Sequence, residues 1–356
     1  MTTVVEPHAD VLSADAVLEV DREFTVKSKG QFELVRGRFF RHRLAMLSLA
    51  VLIGIVLLAF VGGGLWKYNH YSSGIMVDRG RPTLDAIPWL DGDGLAFGEH
   101  PMGQDDLGRD YFAVTMRGMQ QSIIIAVVAG VVATLIGTLV GALAGFFRGF
   151  TDAVLMRFVD VALTIPLLLV AAVLGRRASD IPLLNSLFSD HSILLFGKQP
   201  EDVFYGSYFG EDSIILLAFV IAFASWLTTA RIIRAEFLSL REKDYVEAAR
   251  ALGTPNRRII RKHILPNAIG PLVVTATLLI SSAILIETAL SFLGFGIQSS
   301  DWSLGKLVAQ NRTAFNTRPW LFWWPGLFVV TFALCINFIG DGLRDAFDPK
   351  QTRVRQ

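Results

Sequence analysis

The residues of this chain that could do chemistry are few, and most of them sit in apolar surroundings. His100 is followed by Asp105, Asp106 and Asp110, which raises the possibility of metal ligation. One imidazole with scattered carboxylates lacks a ligand spacing, however, and Gly103, Gly108, Arg109 and the aspartates read instead as turns and helix caps before a short helix leading to Arg117. Arg157 and Asp160 lie three positions apart in an apolar run, on one face of a helix. Ionisable groups inside a membrane span are functional candidates, but an ion pair between these two is the simpler reading. Glu287, with Ser281, Ser282 and Thr288 nearby, could face a solute pathway or bond a neighbouring helix. Asn337 reads as a helix-packing hydrogen bond. Cys335 is the single cysteine, so no intrachain disulfide can form and no metal cluster is expected. No phosphate-binding loop is present, because Gly197-Lys198 and Gly305-Lys306 lack the preceding glycine and the following hydroxyl. The chain thus offers no catalytic residues and no cofactor site of its own. If ATP drives it, another chain hydrolyses the ATP.

The elements that position these residues are membrane helices. The sequence is 52% hydrophobic and 18% charged, below the roughly 25% charge of soluble domains, with mean hydropathy +0.48. Residues 1–43 form a polar tail ending in a basic amphipathic stretch (Phe32, Val35 and Phe39 among Arg36, Arg38, Arg41 and Arg43), expected to lie on the membrane interface. With Asp and Glu and no apolar core near its start, this tail is not expected to be a signal peptide. The hydropathy predicts a first span over 44–66, a polar loop over 67–121, and a five-span core over 122–340. Within that core, Ile165-Pro166 predicts a kink in the third span, 153–174. Loops over 175–212 and 231–267 interrupt the core, and a charged tail occupies 341–356. Six spans put both termini on one side. That side, with the 231–267 loop, holds about twice as many Lys and Arg residues as the other, which predicts that it is cytoplasmic. The net charge of +1 gives no sign of a nucleic-acid partner.

Two patterns stand out. Ala129, Ala133, Gly137, Gly141 and Gly145 recur at four-residue spacing in the second span, a stripe that admits close helix packing within or between subunits. In the 231–267 loop, Tyr245, Ala248, Ala249 and Leu252 make a narrow apolar helix face. Gly253 fits a left-handed C′ position, and Thr254 with Pro255 can cap and open a second helix carrying Ile259, Ile260 and Ile264, which stops before Pro266. Such a hairpin lies on headgroups or docks against a partner.

Four motifs, in order along 32–349, resemble the permease subunit (C-type) of oligopeptide/dipeptide ABC importers. They are Gly103 with Asp105, Gly108, Arg109 and Asp110; Asp152, Met156, Arg157 and Asp160 with Ile165-Pro166; Glu247, Ala248, Ala249 and Gly253 with His263, Leu265, Pro266 and Asn267; and Leu290 to Gly294 with Gly340, Asp341, Arg344, Asp345 and Asp348. The resemblance implies an all-α integral membrane protein of the bacterial cell membrane, with six transmembrane helices in the type I importer permease fold. It implies a cytoplasmic coupling helix at Glu247 to Gly253. The implied partners are a homologous permease, two ATPase subunits that bind ATP and Mg, and an extracytoplasmic solute-binding protein. Di- and oligopeptides are the implied solutes, with nickel or glutathione as alternatives within the class. A secondary transporter would need paired midplane charges and a repeated half, and neither is visible. The 175–212 loop is longer than the family places there and is a candidate contact for the binding protein, or else a tolerated surface insertion.

Overall fold

The computed structural model describes residues 31–83, 98–177, 214–296 and 301–348. The 175–212 loop therefore lies almost wholly outside the described residues, as do residues 1–30 of the amino-terminal tail.

The described elements are helical. Helix α1 (Gln31–Phe39) leads into α2 (Arg43–Leu65), whose last turns pass through a π-helical segment, Leu58–Gly62. Then come α3 (Tyr111–Phe147), α4 (Gly149–Leu163), α5 (Leu167–Arg177), α6 (Ile214–Arg241), α7 (Asp244–Ala251), α8 (Asn256–Ile259), α9 (Ile269–Phe292), α10 (Leu304–Gln310) and α11 (Trp320–Phe347). Among the described residues α2, α3, α6, α9 and α11 are long and apolar enough to cross a membrane, and α4 with α5 adds a sixth crossing if the bent pair is one span.

Two expected boundaries move. The polar residues before Ser122 do not form a loop and a separate short helix. Asp110 caps α3 by accepting the Ala113 N–H at 2.8 Å, and the helix runs unbroken for 37 residues to Phe147. Its polar first turns are held by side-chain partners, among them Gln120 Nε2, which donates to the Ala59 carbonyl at 2.7 Å. The third span is broken and not merely kinked, since α4 and α5 meet at 87°. Pro166 has no N–H to donate and disfavours helical geometry at Ile165. The Ala162 carbonyl, which an N–H at position 166 would have bonded, accepts the Ile165 N–H at 3.2 Å instead, and the Val161 carbonyl is taken up by the Thr164 N–H and hydroxyl.

The small-residue stripe packs within the subunit. All five of its members are buried in α3, and its three glycines lie against α6. A Cβ at Gly137 would stand 2.7 Å from Thr229, at Gly141 2.4 Å from the Ala230 carbonyl, and at Gly145 2.7 Å from the Arg234 carbonyl. On its other side Gly130 of α3 meets Ile280 of α9. Arg148 and Gly149, both at positive φ, reverse the chain between α3 and α4. Arg234 of α6 then grips Asp152 of α4 with two bonds of 2.5 and 2.7 Å.

The amino-terminal elements lean on the last helix. Ala45 of α2 lies against Gly342 of α11. Arg38 of α1 donates to the Ala346 and Asp348 carbonyls at 3.4 and 3.2 Å, a favourable place for a cation at a helix C-terminus. This end of the molecule also holds the α7–α8 hairpin and is called the hairpin end. The other holds α10.

Candidate functional site

The hairpin between α6 and α9 is built by its glycine. Gly253 takes φ +74°, its N–H bonds the Arg250 carbonyl at 2.8 Å, and the Thr254 N–H reaches back to Ala249 at 3.1 Å. This pair of bonds is the Schellman closure of a helix C-terminus. The next helix begins one residue later than expected, because Pro255 and not Thr254 is the N-cap of α8. The Pro255 carbonyl accepts the Arg258 and Ile259 N–H groups at 2.9 and 3.1 Å, and the Thr254 side chain does not cap α8. Helix α8 continues as a π-helical turn, Ile260–Ile264, which delivers the chain past Pro266 to α9.

The expected apolar face of α7 is divided in two. Val246 and Ala249 point inward and are buried with Phe146, Ile233, Phe237, Ile259, Ile264 and Ala268 in a second hydrophobic cluster. Tyr245, Glu247, Ala248 and Leu252 point outward, with Leu252 85% exposed. Val246 fills the inner face beside Ala249, so the i, i+3, i+4 series straddles the boundary. One contact fixes the hairpin to the spans and a second ties its arms together. Arg241 donates to the Phe146 carbonyl while its guanidinium and that of Arg250 lie over the Phe146 ring at 5.8 and 5.7 Å. Asn267 joins the arms, donating to the His263 carbonyl at 2.7 Å and contacting the Tyr245 hydroxyl at 3.4 Å. Glu247 and the His263 ring have no bonding partner among the described residues. The result is a rigid hairpin that presents Glu247, Ala248 and Leu252 to something else. Ala249→Asp, which places an unpaired carboxylate in the inner cluster, is expected to cost on the order of 3 kcal/mol and lower the melting temperature of the purified protein. Ala248→Asp is expected to leave the melting temperature unchanged.

The polar residues inside the spans divide by their partners. Asp160 does not pair with Arg157. It bonds Arg231 of α6 at 2.5 Å, and Arg157 is exposed with no partner among the described residues. Sequence neighbours share a face, but the adjoining helix supplies a better-placed guanidinium. Glu287 is fully buried at the α10 end of α9 and bonds three hydroxyls: Ser122 of α3 at 3.3 Å, Ser291 at 2.8 Å and Ser303 at 2.6 Å. Of its two readings, the structure gives the bond to neighbouring helices. Asn337 is half-buried in α11 and makes no side-chain hydrogen bond among the described residues, contrary to its expected packing role.

At the opposite end, the residues from Gly103 to Asp110 form a tied turn. Gly103 and Gly108 take φ +84° and +71°. Asp105 accepts the Leu107 and Arg109 N–H groups at 2.9 Å and the Arg109 guanidinium at 2.6 Å. Asp110 meets the His100 ring at 2.7 Å and accepts from Trp66 at 3.1 Å in addition to capping α3, so His100 serves the turn. The sequence reading missed the network beside it. Arg117 clamps Asp301 with bonds of 2.9 and 2.6 Å, and Gln121 adds one of 2.7 Å. The Trp302 ring lies under both Arg109 and Lys306, at 4.5 and 5.4 Å. Burial lowers the pKa of Lys306, while Asp301 partly opposes it. Ser303 caps α10, and the Leu304 N–H bonds the Ser122 hydroxyl at 3.0 Å. Helix α10 is thereby pinned to α3 and α9. The only signal for this in the sequence was the polar run Asp301, Trp302, Ser303 before a short helix. Asp301→Asn removes the buried carboxylate charge that Arg117 clamps and is expected to cost about 3 kcal/mol, read as an earlier thermal unfolding transition.

Among the described residues, five helices long and apolar enough to cross a membrane, with a sixth crossing if the bent pair is one span, describe a multi-pass membrane protein. Residues 137–353 match the family described as binding-protein-dependent transport system inner membrane component, and residues 30–82 match the N-terminal TM domain of oligopeptide transport permease C. The chain belongs to this permease family. Its relatives include the oligopeptide transport system permease protein OppC of Mycobacterium tuberculosis (strain ATCC 25618 / H37Rv), 34% identical over 91% of this chain and 96% of that one. The OppC protein of Salmonella typhimurium is 36% identical over 95% and 97%. A chain of the MetNI methionine ABC transporter in an inward-facing conformation aligns with TM-score 0.46 and 19% identity, over 66% of this chain and 96% of that one.

Proposed function

We propose that the chain is one of two permease subunits of an ATP-driven importer of oligopeptides. The hairpin is its mechanical input, docking in a separate ATPase subunit. The observation that carries this is the division of α7: Val246 and Ala249 are committed to the chain's own core while Glu247, Ala248 and Leu252 are free of it. Two such ATPases bind ATP with Mg, and this chain binds neither. Both termini and the hairpin face the cytoplasm, in keeping with the Lys and Arg distribution. An extracytoplasmic binding protein delivers the solute to the α10 end. A homologous permease completes the pathway. The OppC relatives favour peptides over nickel or glutathione.

The test is reconstitution of the chain with its partner permease, ATPases and binding protein in proteoliposomes. Uptake of a labelled oligopeptide that requires both ATP and the binding protein is expected. Uptake that persists without the ATPase subunits would overturn the reading, and uptake of nickel with no peptide transport would overturn its solute.

A further inference from the structure

The second arm of the hairpin carries a charge pattern that the docking role of α7 does not use. Arg257, Arg258, Arg261 and Lys262 occupy one exposed face of α8 and the π-helical turn after it. They line a recess of about 700 Å³ with Pro255. None of the four has a carboxylate partner among the described residues. The opposite face is apolar: Ile259 and Ile264 are fully buried beneath it. This cationic face is also tied closely to the end of a span. The span α9 begins at Ile269, seven residues after Lys262. Gly270 at its start packs on Phe347, and the end of α11 there is held by Arg38 of the amphipathic α1. Long Lys and Arg side chains this close to the end of a span can extend along the headgroup interface. Four cations next to a span, on the side rich in Lys and Arg, attract anionic headgroups.

We infer that this face is a binding site for the phosphodiester headgroup of an anionic phospholipid. The lipid holds the α8 arm against the membrane while α7 is left to its protein partner. The chemistry favours lipid over a protein surface because the arm is continuous with α9 and lies across the Gly253 turn from Glu247 and Leu252. Bidentate guanidinium contacts suit a phosphodiester.

The experiment uses the complete transporter, native and with Arg257→Gln, Arg258→Gln, Arg261→Gln and Lys262→Gln combined, in vesicles of phosphatidylcholine with or without phosphatidylglycerol. Native mass spectrometry counts retained phosphatidylglycerol, a readout independent of which solute is carried. Retention is expected to fall by about tenfold or more in the glutamine variant and to be restored by Arg→Lys replacements at 257, 258 and 261. If the combined variant fails to accumulate, Arg258→Gln and Arg261→Gln singly are expected to give partial losses in the same assay. Unchanged retention would overturn the inference. So would loss of the ATPase subunits from the variant complex at unchanged lipid retention, which would make the arm a protein-docking surface.

Discussion

Gly253→Val is expected to abolish peptide uptake while the transporter still assembles in the membrane. A Cβ at Gly253 meets nothing within 4 Å, so the effect cannot come from a clash. It comes from φ +74°, where a β-branched residue is strongly disfavoured, by about 1–2 kcal/mol or more. The backbone escapes that strain by leaving the left-handed region. That breaks the Gly253 and Thr254 bonds to Arg250 and Ala249 and changes the angle between α7 and α8. The inner cluster around Val246, Ile259 and Ile264 is distant from the turn's apex and holds each arm in place, which is why assembly survives. Asn tolerates the left-handed region better than other residues, so Gly253→Asn is expected to retain most of the uptake. Equal loss from the Asn and Val variants would mean that something other than backbone conformation is at work.

Gly141→Leu is expected to prevent accumulation of a folded protein. The first added atom would lie 2.4 Å from the Ala230 carbonyl and 3.0 Å from the Arg234 N–H nitrogen, and backbone at a helix–helix contact cannot step aside as a side chain can. Separating α3 from α6 would also pull Arg234 from Asp152. Overpacking of this kind costs about 3 kcal/mol, a large share of a typical domain's stability. Gly54→Leu in α2 is the matched control, since a Cβ there meets nothing within 4 Å. Detergent-extracted yield and melting temperature are expected to drop for Gly141→Leu and to hold for Gly54→Leu.

Sequence alone disclosed the features written in local chemistry. The Gly253 closure follows from a glycine after an amphipathic helix and the buried stripe of α3 from four-residue spacing, while the missing N–H of Pro166 marked the place of the bend but not its 87° extent. What sequence hid was tertiary choice. Arg117 and Asp301 are 184 positions apart, and the serines around Glu287 come from three different elements. Asp160 met Arg231 instead of Arg157 because helix juxtaposition, which sequence spacing cannot reveal, decided the pair. The start of α3 was misplaced because Arg117, Gln120 and Gln121 look like loop residues until their partners are seen. Ala249 turned inward for a related reason: a helical repeat identifies a face, and the neighbouring elements decide which core that face belongs to.

If the hairpin hands force from an ATPase to the spans, a cross-link between the two shows it most directly. The native chain has one cysteine, Cys335, which is buried, so Leu252→Cys adds an exposed thiol at the hairpin's apex in a nearly clean background. With the assembled transporter and a short bifunctional thiol reagent, the account predicts a product joining this chain to an ATPase subunit, its yield changing when ATP is bound. No such product from Leu252→Cys, with cross-linking to the ATPase obtained instead from Leu107→Cys at the opposite end, would contradict it.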